Sequence, residues 1–262
     1  MIRLVKVPLL AFFVLLISID VSAAGQFCFH PPGKLDPRDS ATGNTDRTVL
    51  LPDIAFPLRV GSASGLEAHL NSQIFGYGGM DGPGGSLSDS RNFQGCWEDT
   101  YCEGKRGWQM PLCPSRIGHQ GDDIRANGPD ENKYDAVAVM DGYVRLVTKN
   151  TTVVLAGDDG TECRYLHMDP QSIPGNIVGK RVQKGQSVLG RVSNWMNGQH
   201  HGTSTHLHFD CSQTVQLQDG SQRDVHIPIY TSLILAYARQ WGIGGVSIQG
   251  GELSASPPFE IP

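Results

Sequence analysis

Two short histidine clusters, Gly118-His119-Gln120-Gly121-Asp122-Asp123 and Thr205-His206-Leu207-His208-Phe209-Asp210, flank a third histidine in Leu166-His167-Met168. Neutral imidazole and carboxylate are standard ligands for a catalytic zinc, which takes three protein groups and keeps one position open for water. The three segments hold enough donors for one metal site and leave two imidazoles over. That surplus implies metal-assisted hydrolysis, with some groups holding the ion and the others handling protons.

Residues two apart project from the same face of an extended chain. His206 and His208 therefore share a face, with Leu207 and Phe209 on the other. At roughly 3.3 Å per residue their Cα atoms lie about 6.6 Å apart, which suits one ligand and one neighbouring acid/base group. A fully extended run from His119 to Asp123 would separate that pair by about 13 Å, so a bend or bulge is expected at Gly121, a residue that tolerates one. Asp122 points the other way on a strand and is the second choice as ligand. A helical reading would also join His119 and Asp123 at i and i+4, but the internal glycine and the nearby strand pattern disfavour it. A lone HxxxD, or a lone HxH in a chain with nine histidines, is weak evidence. Their occurrence in order, with an aliphatic strand over 162–168 between them, is far less readily accidental.

This order of motifs resembles the lysostaphin and LytM type of zinc endopeptidase, the beta-lytic metallopeptidases that cleave peptidoglycan cross-bridges and stem peptides. The resemblance covers residues 56–237 and rests on HxGxD, the strand ending in Leu166-His167, and HxH followed by Phe209 and Asp210. It implies that His119, Asp123 and His208 bind one Zn2+ per chain and that His206 and His167 flank the catalytic water. His206 is then the favoured general base, with His167 orienting water or stabilising the oxyanion, though the sequence leaves open which does which. It further implies a mainly β fold, an antiparallel sheet or sandwich core with loops and a C-terminal helix. All five positions are intact, which argues against the catalytically silent relatives that regulate cell-wall amidases. No HExxH, no CxxC pair and no ExxH near the last ligand points to another metallopeptidase class.

Arg3 and Lys6 precede an apolar run over 7–19, and Val21-Ser22-Ala23 offers small residues for cleavage, the pattern of a secretory signal peptide. The run is shorter than the roughly 20 residues of a membrane span, and no lipobox cysteine follows it, so no stable membrane anchor is expected after cleavage. The mature chain is expected to be exported, periplasmic or secreted. Six cysteines, Cys28, Cys96, Cys102, Cys113, Cys163 and Cys211, fit disulfides in an oxidising compartment and allow fifteen pairings. Cys102 with Cys113 would tie down the loop leading into His119, Cys163 with Cys211 would brace the site, and Cys28 with Cys96 remains. Lysostaphin is not cysteine-rich, so this framework departs from it and suggests a Gram-negative relative.

The net charge of −5 becomes −6 once Arg3, Lys6 and Asp20 are removed, which gives no basic footprint for nucleic acid. Lys180, Arg181 and Lys184 read most simply as a solvated hairpin. Thirty-two glycines, sixteen prolines and short aliphatic runs fit a strand-and-loop protein. Strands are expected over 136–140, 143–148, 152–156, 162–167, 187–192 and 205–211, with turns at Asp141-Gly142 and Asp158-Asp159-Gly160. A short helix is expected over 65–73. A helix over 229–241 places Leu233, Ala236, Tyr237 and Gln240 at helical spacing. The glycine-dense run over 76–85 reads as a mobile loop and a candidate flap. Residues 1–23 are assigned to the signal peptide, 24–55 to an N-terminal arm, 56–245 to the peptidase domain and 246–262 to a flexible tail.

His200 and His201 lie in a Gly-rich loop and read as exposed. His30, His69 and His226 have no partner spacing and read as structural. Trp97, Trp108 and Tyr165 could line a groove, but burial is the commoner fate of such residues. The resulting expectation is a monomeric zinc endopeptidase acting on peptidoglycan peptides. The alternatives are a silent LytM-like regulator of an amidase and a secreted zinc protease on Gly-rich proteins.

Overall fold

Alternation along the chain sets which strands face solvent and which are enclosed. Gly142–Thr148 turns Val144 inward and leaves Tyr143 and Arg145 exposed, whereas Thr152–Gly157, reading TVVLAG, is buried at every position and sits within the sheet. The computed structural model describes residues 27–35, 42–59, 68–104, 107–216, 219–256 and 259–260. The strands are β1 (Leu58–Arg59), β2 (Ala68–Leu70), β3 (Trp108–Gln109), β4 (Ile117–Gly118), β5 (Asp122–Ala126), β6 (Asp135–Val137), β7 (Gly142–Thr148) and β8 (Thr152–Gly157). They continue with β9 (Glu162–Leu166), β10 (Arg181–Val182), β11 (Val188–Arg191), β12 (Leu207–Gln216), β13 (Gln222–Ile227), β14 (Val246–Gln249) and β15 (Glu252–Ala255). One helix, α1 (Tyr230–Trp241), follows β13.

The fold is mainly β and antiparallel. An eight-stranded sheet runs in the order β10-β7-β8-β9-β12-β5-β2, with β13 paired to β12, and a three-stranded sheet runs β1-β6-β11. Every strand pairing is antiparallel. Leu58 and Leu189 of the small sheet and Val144, Leu155, Tyr165 and Phe209 of the large one enter a single hydrophobic cluster. Helix α1 supplies Leu233, Ile234 and Tyr237 to that cluster, is buried from Tyr230 through Ala238, and ends on a left-handed Gly242 whose N–H reaches the Arg239 carbonyl.

Several expectations change. The helix expected over 65–73 is replaced at Ala68–Leu70 by β2, which completes the edge of β5 by pairing Ala68 with Ala126 and Leu70 with Ile124. The buried Ala68 and Leu70 contribute more there than three residues of helix propensity could; residues 65–67 lie outside the described residues. The region expected as a flexible tail from 246 onward forms the β14–β15 hairpin, with Leu253 buried and Glu260 paired to Arg47 at 2.6 Å. The segment over 29–49 interlocks with residues 251–260 there. Phe29 bridges to Trp97 on one side and Glu260 on the other, Val49 N–H donates to Gly251, and Leu253 N–H donates to Arg47. The segment expected as an arm thus buries Phe27, Phe29, Leu51 and Ile54 in the core. The loop over 76–85 closes on itself through Gly78 N–H to Gly84 and Asp81 N–H to Ile74, and Asn92 pins both main-chain groups of Tyr77 at 2.8 Å. The signal peptide expected over 1–23 lies outside the described residues.

Three disulfides join Cys28 to Cys96, Cys102 to Cys113 and Cys163 to Cys211. Among the described residues no helix is long and apolar enough to cross a membrane.

Candidate metal centre

Strand β12 lies between β5 and β9, and this order places His208 directly opposite Asp123 on one side and Leu166 on the other. Leu207 and Phe209 turn into the core, so His206 and His208 emerge together on the opposite face. The bend expected in the first cluster falls at Gly121. A Cβ there would stand 2.2 Å from the Phe209 carbonyl oxygen and 2.5 Å from the Asp210 Cβ, so only glycine allows β12 this close. Gly118 is constrained in the same way, with φ +145° and the Cys102 carbonyl 2.7 Å from a built Cβ.

Thr100 clamps the bend. Its hydroxyl donates to the Gly121 carbonyl and accepts from Asp123 N–H, its N–H donates to Asp122 Oδ1, and its carbonyl accepts from His119 Nδ1 at 3.0 Å. The segment beyond it, carrying the Cys102–Cys113 bridge, pairs back on the cluster through Cys102 N–H to His119 and His119 N–H to Glu103. Asp122 faces away from the ligands, as expected, toward Thr100.

Three donor atoms converge. His119 Nε2 lies 2.8 Å from His208 Nδ1 and 3.4 Å from Asp123 Oδ1, and His208 Nδ1 lies 3.1 Å from the same oxygen. Ligands about 2.0–2.1 Å from a tetrahedral zinc stand roughly 3.3 Å apart, so this set encloses a volume of the right size. The far nitrogen of each imidazole is already committed as a donor. His119 Nδ1 donates to the Thr100 carbonyl, and His208 Nε2 donates to Asp210 Oδ2 at 2.9 Å, so the opposite nitrogens, His119 Nε2 and His208 Nδ1, are the ones that face an ion. Asp210 is itself gripped by the Arg164 guanidinium at 2.8 Å and lies 3.1 Å from His226 Nδ1, whose other nitrogen meets the Gln120 amide.

His206 and His167 stand beside this set. His206 Nδ1 donates to the Ser204 carbonyl at 2.8 Å, which turns Nε2 toward Asp123 Oδ1 at 3.4 Å. His167 Nδ1 donates to the Trp195 carbonyl at 2.8 Å, and its ring centre is 4.7 Å from that of His206 and 6.1 Å from that of His208. His167 takes a left-handed φ of 68° at the end of β9, an uncommon conformation for a residue with a Cβ. Ser193 holds both histidines, its N–H donating to His167 and its carbonyl accepting from His206.

The charge pattern favours a cation. Burial pulls the His119 imidazole down, but Asp123 beside it prevails and lifts it to about 10. Burial alone would raise Asp123, yet the charges of His119 and His206 hold it well below the usual carboxylate range. Asp210 is likewise held far down against its burial by the hydrogen bonds from His208 and His226 and the charge of Arg164. Burial, with His206 and His208 nearby, pushes His167 down to about 3, so it stays neutral at ordinary pH.

All five residues singled out from sequence come together. The positions not singled out are Asp210, Arg164, Gln120 and His226 behind His208, and the carbonyls of Thr100, Ser204 and Trp195. His226 is a support for Asp210. Trp97 and Tyr165 are buried in the core, and Trp108 is exposed.

No family model matches the chain, and no curated protein matches it. Among solved structures it is similar to a candidate glycyl-glycine endopeptidase LytM from Ruminococcus gnavus, with 16% identity and a TM-score of 0.43, over 73% of this chain and 63% of that one. The SpoIIQ–SpoIIIAH pore-forming complex matches at 20% identity and a TM-score of 0.30, over 40% of this chain and 61% of its own. The catalytic domain of the prophage-encoded protein EnpA from Enterococcus faecalis, in mutant form, matches at 20% identity and a TM-score of 0.31, over 43% and 76%. The chain thus spans less than two thirds of the length of the first two.

Proposed function

We propose that the protein is a zinc-dependent endopeptidase that hydrolyses peptide bonds in the cross-links or stem peptides of peptidoglycan. The observation that carries this reading is the convergence of His119 Nε2, Asp123 Oδ1 and His208 Nδ1 within 3.4 Å of one another, with the imidazoles of His206 and His167 beside them. Two imidazole nitrogens and one carboxylate are a donor set that suits zinc, which in a catalytic site would take three protein groups and water. The peptidoglycan substrate rests on the resemblance of the motifs, and the exported location, periplasmic or secreted, on three disulfides. The chain acts as a monomer in this reading, without nucleic acid or membrane.

Zinc held there supplies a Lewis acid that polarises a carbonyl and lowers the pKa of water. His206 Nε2, the nitrogen turned toward the metal centre because Nδ1 is held by the Ser204 carbonyl, accepts the water proton and later passes it to the leaving amine. His167, kept neutral by burial and aimed by the Trp195 carbonyl, orients water or hydrogen-bonds the developing oxyanion. Asp210 holds the His208 ring in the tautomer that leaves Nδ1 available to the ion.

The test uses the oxidised mature chain: zinc by elemental analysis and fragments released from purified sacculi by mass spectrometry. The native protein should hold zinc and release peptide-bond cleavage products. His208→Ala should lose the ion at this site, and His206→Ala should keep it while losing activity. Zinc bound but only protein substrates cut would move the substrate to Gly-rich proteins. No zinc at this site would end the enzyme reading and leave the amidase-regulator one.

A further inference from the structure

A second group of ligating side chains stands on the loops beside the site. Glu131 lies between β5 and β6, and His200 and His201 between β11 and β12; one ligating atom of each falls within 4.8 Å of the others. His200 Nε2 is 2.8 Å from Glu131 Oε2, and His201 Nδ1 is 3.6 Å from Glu131 Oε1. These spacings bracket the edge of about 3.3 Å expected in a tetrahedral zinc complex. The group offers two imidazole nitrogens and one carboxylate, as the first does.

Consecutive residues of an extended chain point to opposite sides. Here His201 takes a left-handed φ of 59° and its ring stacks on His200 at 3.8 Å, so both present nitrogens to the same carboxylate. Asn194 secures this turn by accepting from His201 N–H at 3.0 Å and holding its amide 3.1 Å from His201 Nδ1, a contact that an ion would displace, and Ser193 Oγ donates to Glu131 at 2.7 Å. The side chains of Glu131, His200 and His201 are 23%, 46% and 69% exposed, so an ion could enter directly from solvent and keep water in its remaining positions.

We propose that Glu131, His200 and His201 form a second, more weakly binding zinc site, and that its occupancy fixes the loop over 193–201. That loop provides the Ser193 groups that hold His167 and His206 and the Trp195 carbonyl that orients His167, and His200 stacks on Trp195 at 5.0 Å. What a fixed loop does for His167 and His206 rests on the endopeptidase reading; binding of the ion does not.

Equilibrium dialysis of the full mature chain against graded zinc separates the two. Wild type should bind two ions, the weaker with at least ten-fold lower affinity. His201→Ala should bind one with the tighter affinity unchanged, and His208→Ala should bind one with the weaker affinity. The double variant should bind none. His201 is 69% exposed and its backbone bond to Asn194 survives truncation, so an unchanged melting temperature is expected for His201→Ala, and Glu131→Gln should weaken the second ion at least ten-fold. Identical zinc binding by wild type and His201→Ala overturns this proposal and leaves the first site standing. Loss of an ion in His201→Ala with none lost in His208→Ala would support it and sink the catalytic-centre reading.

Discussion

Replacing Asp210 by asparagine tests whether the carboxylate behind His208 serves the metal or only the fold. Asp210 is fully buried, its Oδ2 accepts from His208 Nε2 at 2.9 Å, and both oxygens accept from Arg164. The amide can keep only one acceptor. If it stays on His208, an NH2 group turns toward the guanidinium; if it stays on Arg164, His208 loses its acceptor. In either case the imidazole no longer faces a negative charge, and its Nδ1 becomes a poorer donor. Loss of such an outer carboxylate costs about 10–100-fold in metal affinity, or roughly 1.4–2.7 kcal/mol. A ligand at a hundred times its Kd stabilises by about 2.7 kcal/mol, so at fixed zinc about half of that gain or more, roughly 1.3–2.3 kcal/mol, should vanish. For a domain of this size each kcal/mol is worth about 2–4 °C, so the gap between zinc-loaded and chelator-treated melting temperatures should shrink by roughly 3–9 °C. Competition with a chelating dye gives the affinity directly. A chain that melts lower with and without zinc, yet binds zinc as tightly as wild type, would show that Asp210 is structural and refute the argument.

Zinc binding should release about one proton per ion between pH 6 and 9, because His119, lifted to about 10 by Asp123, must surrender its proton to become a ligand. Affinity therefore rises with pH across that window, and calorimetry in buffers of different ionisation enthalpy would measure the proton; a count of zero contradicts the assignment. Gly121→Ala should cost about 3 kcal/mol and weaken zinc, since the new methyl would meet the Phe209 carbonyl at 2.2 Å; an unchanged denaturation midpoint would show that β5 and β12 can part freely. Replacing Cys163 and Cys211 together by alanine opens a loop with a sequence separation of 48, worth about 4 kcal/mol in the chain-entropy account. Equilibrium unfolding by urea should show that loss, and a change under 1 kcal/mol would mean that the antiparallel pairing alone holds the strands.

The chemistry was more legible in the sequence than its support. His206 and His208 could be placed on one face because Leu207 and Phe209 fill the alternate positions, and the glycine between His119 and Asp123 signalled the bend. The same alternation puts Asp210 on the His208 face, two residues on, and could have assigned it the supporting role. The acceptors for His119, His206 and His167 are main-chain carbonyls of Thr100, Ser204 and Trp195, which leave no signature in side-chain type. Strand β2 was misread because three residues carry no resolvable periodicity, and its pairing with β5 is a long-range fact. The final hairpin did carry a signal. Gly250 and Gly251, at φ 60° and 89°, make the two-residue turn that such glycine pairs favour, in a stretch otherwise read from its proline content.

The interlocking of residues 29–49 with 251–260 bears on when folding can finish. Arg47 and Glu260 are 213 residues apart, and the segment around Phe29 completes its pairing only against residues at the far end. A chain that emerges N-terminus first can pair Cys28 and Phe29 with Cys96 and Trp97 early, but the partners over 251–260 follow much later. Contacts of such long sequence separation also form late, because the loop they close carries the largest entropy cost. The aromatic cluster of Phe27, Trp97 and Tyr237 thus stays incomplete while the chain is being delivered. Removing residues 251–260 should consequently loosen the segment over 29–49.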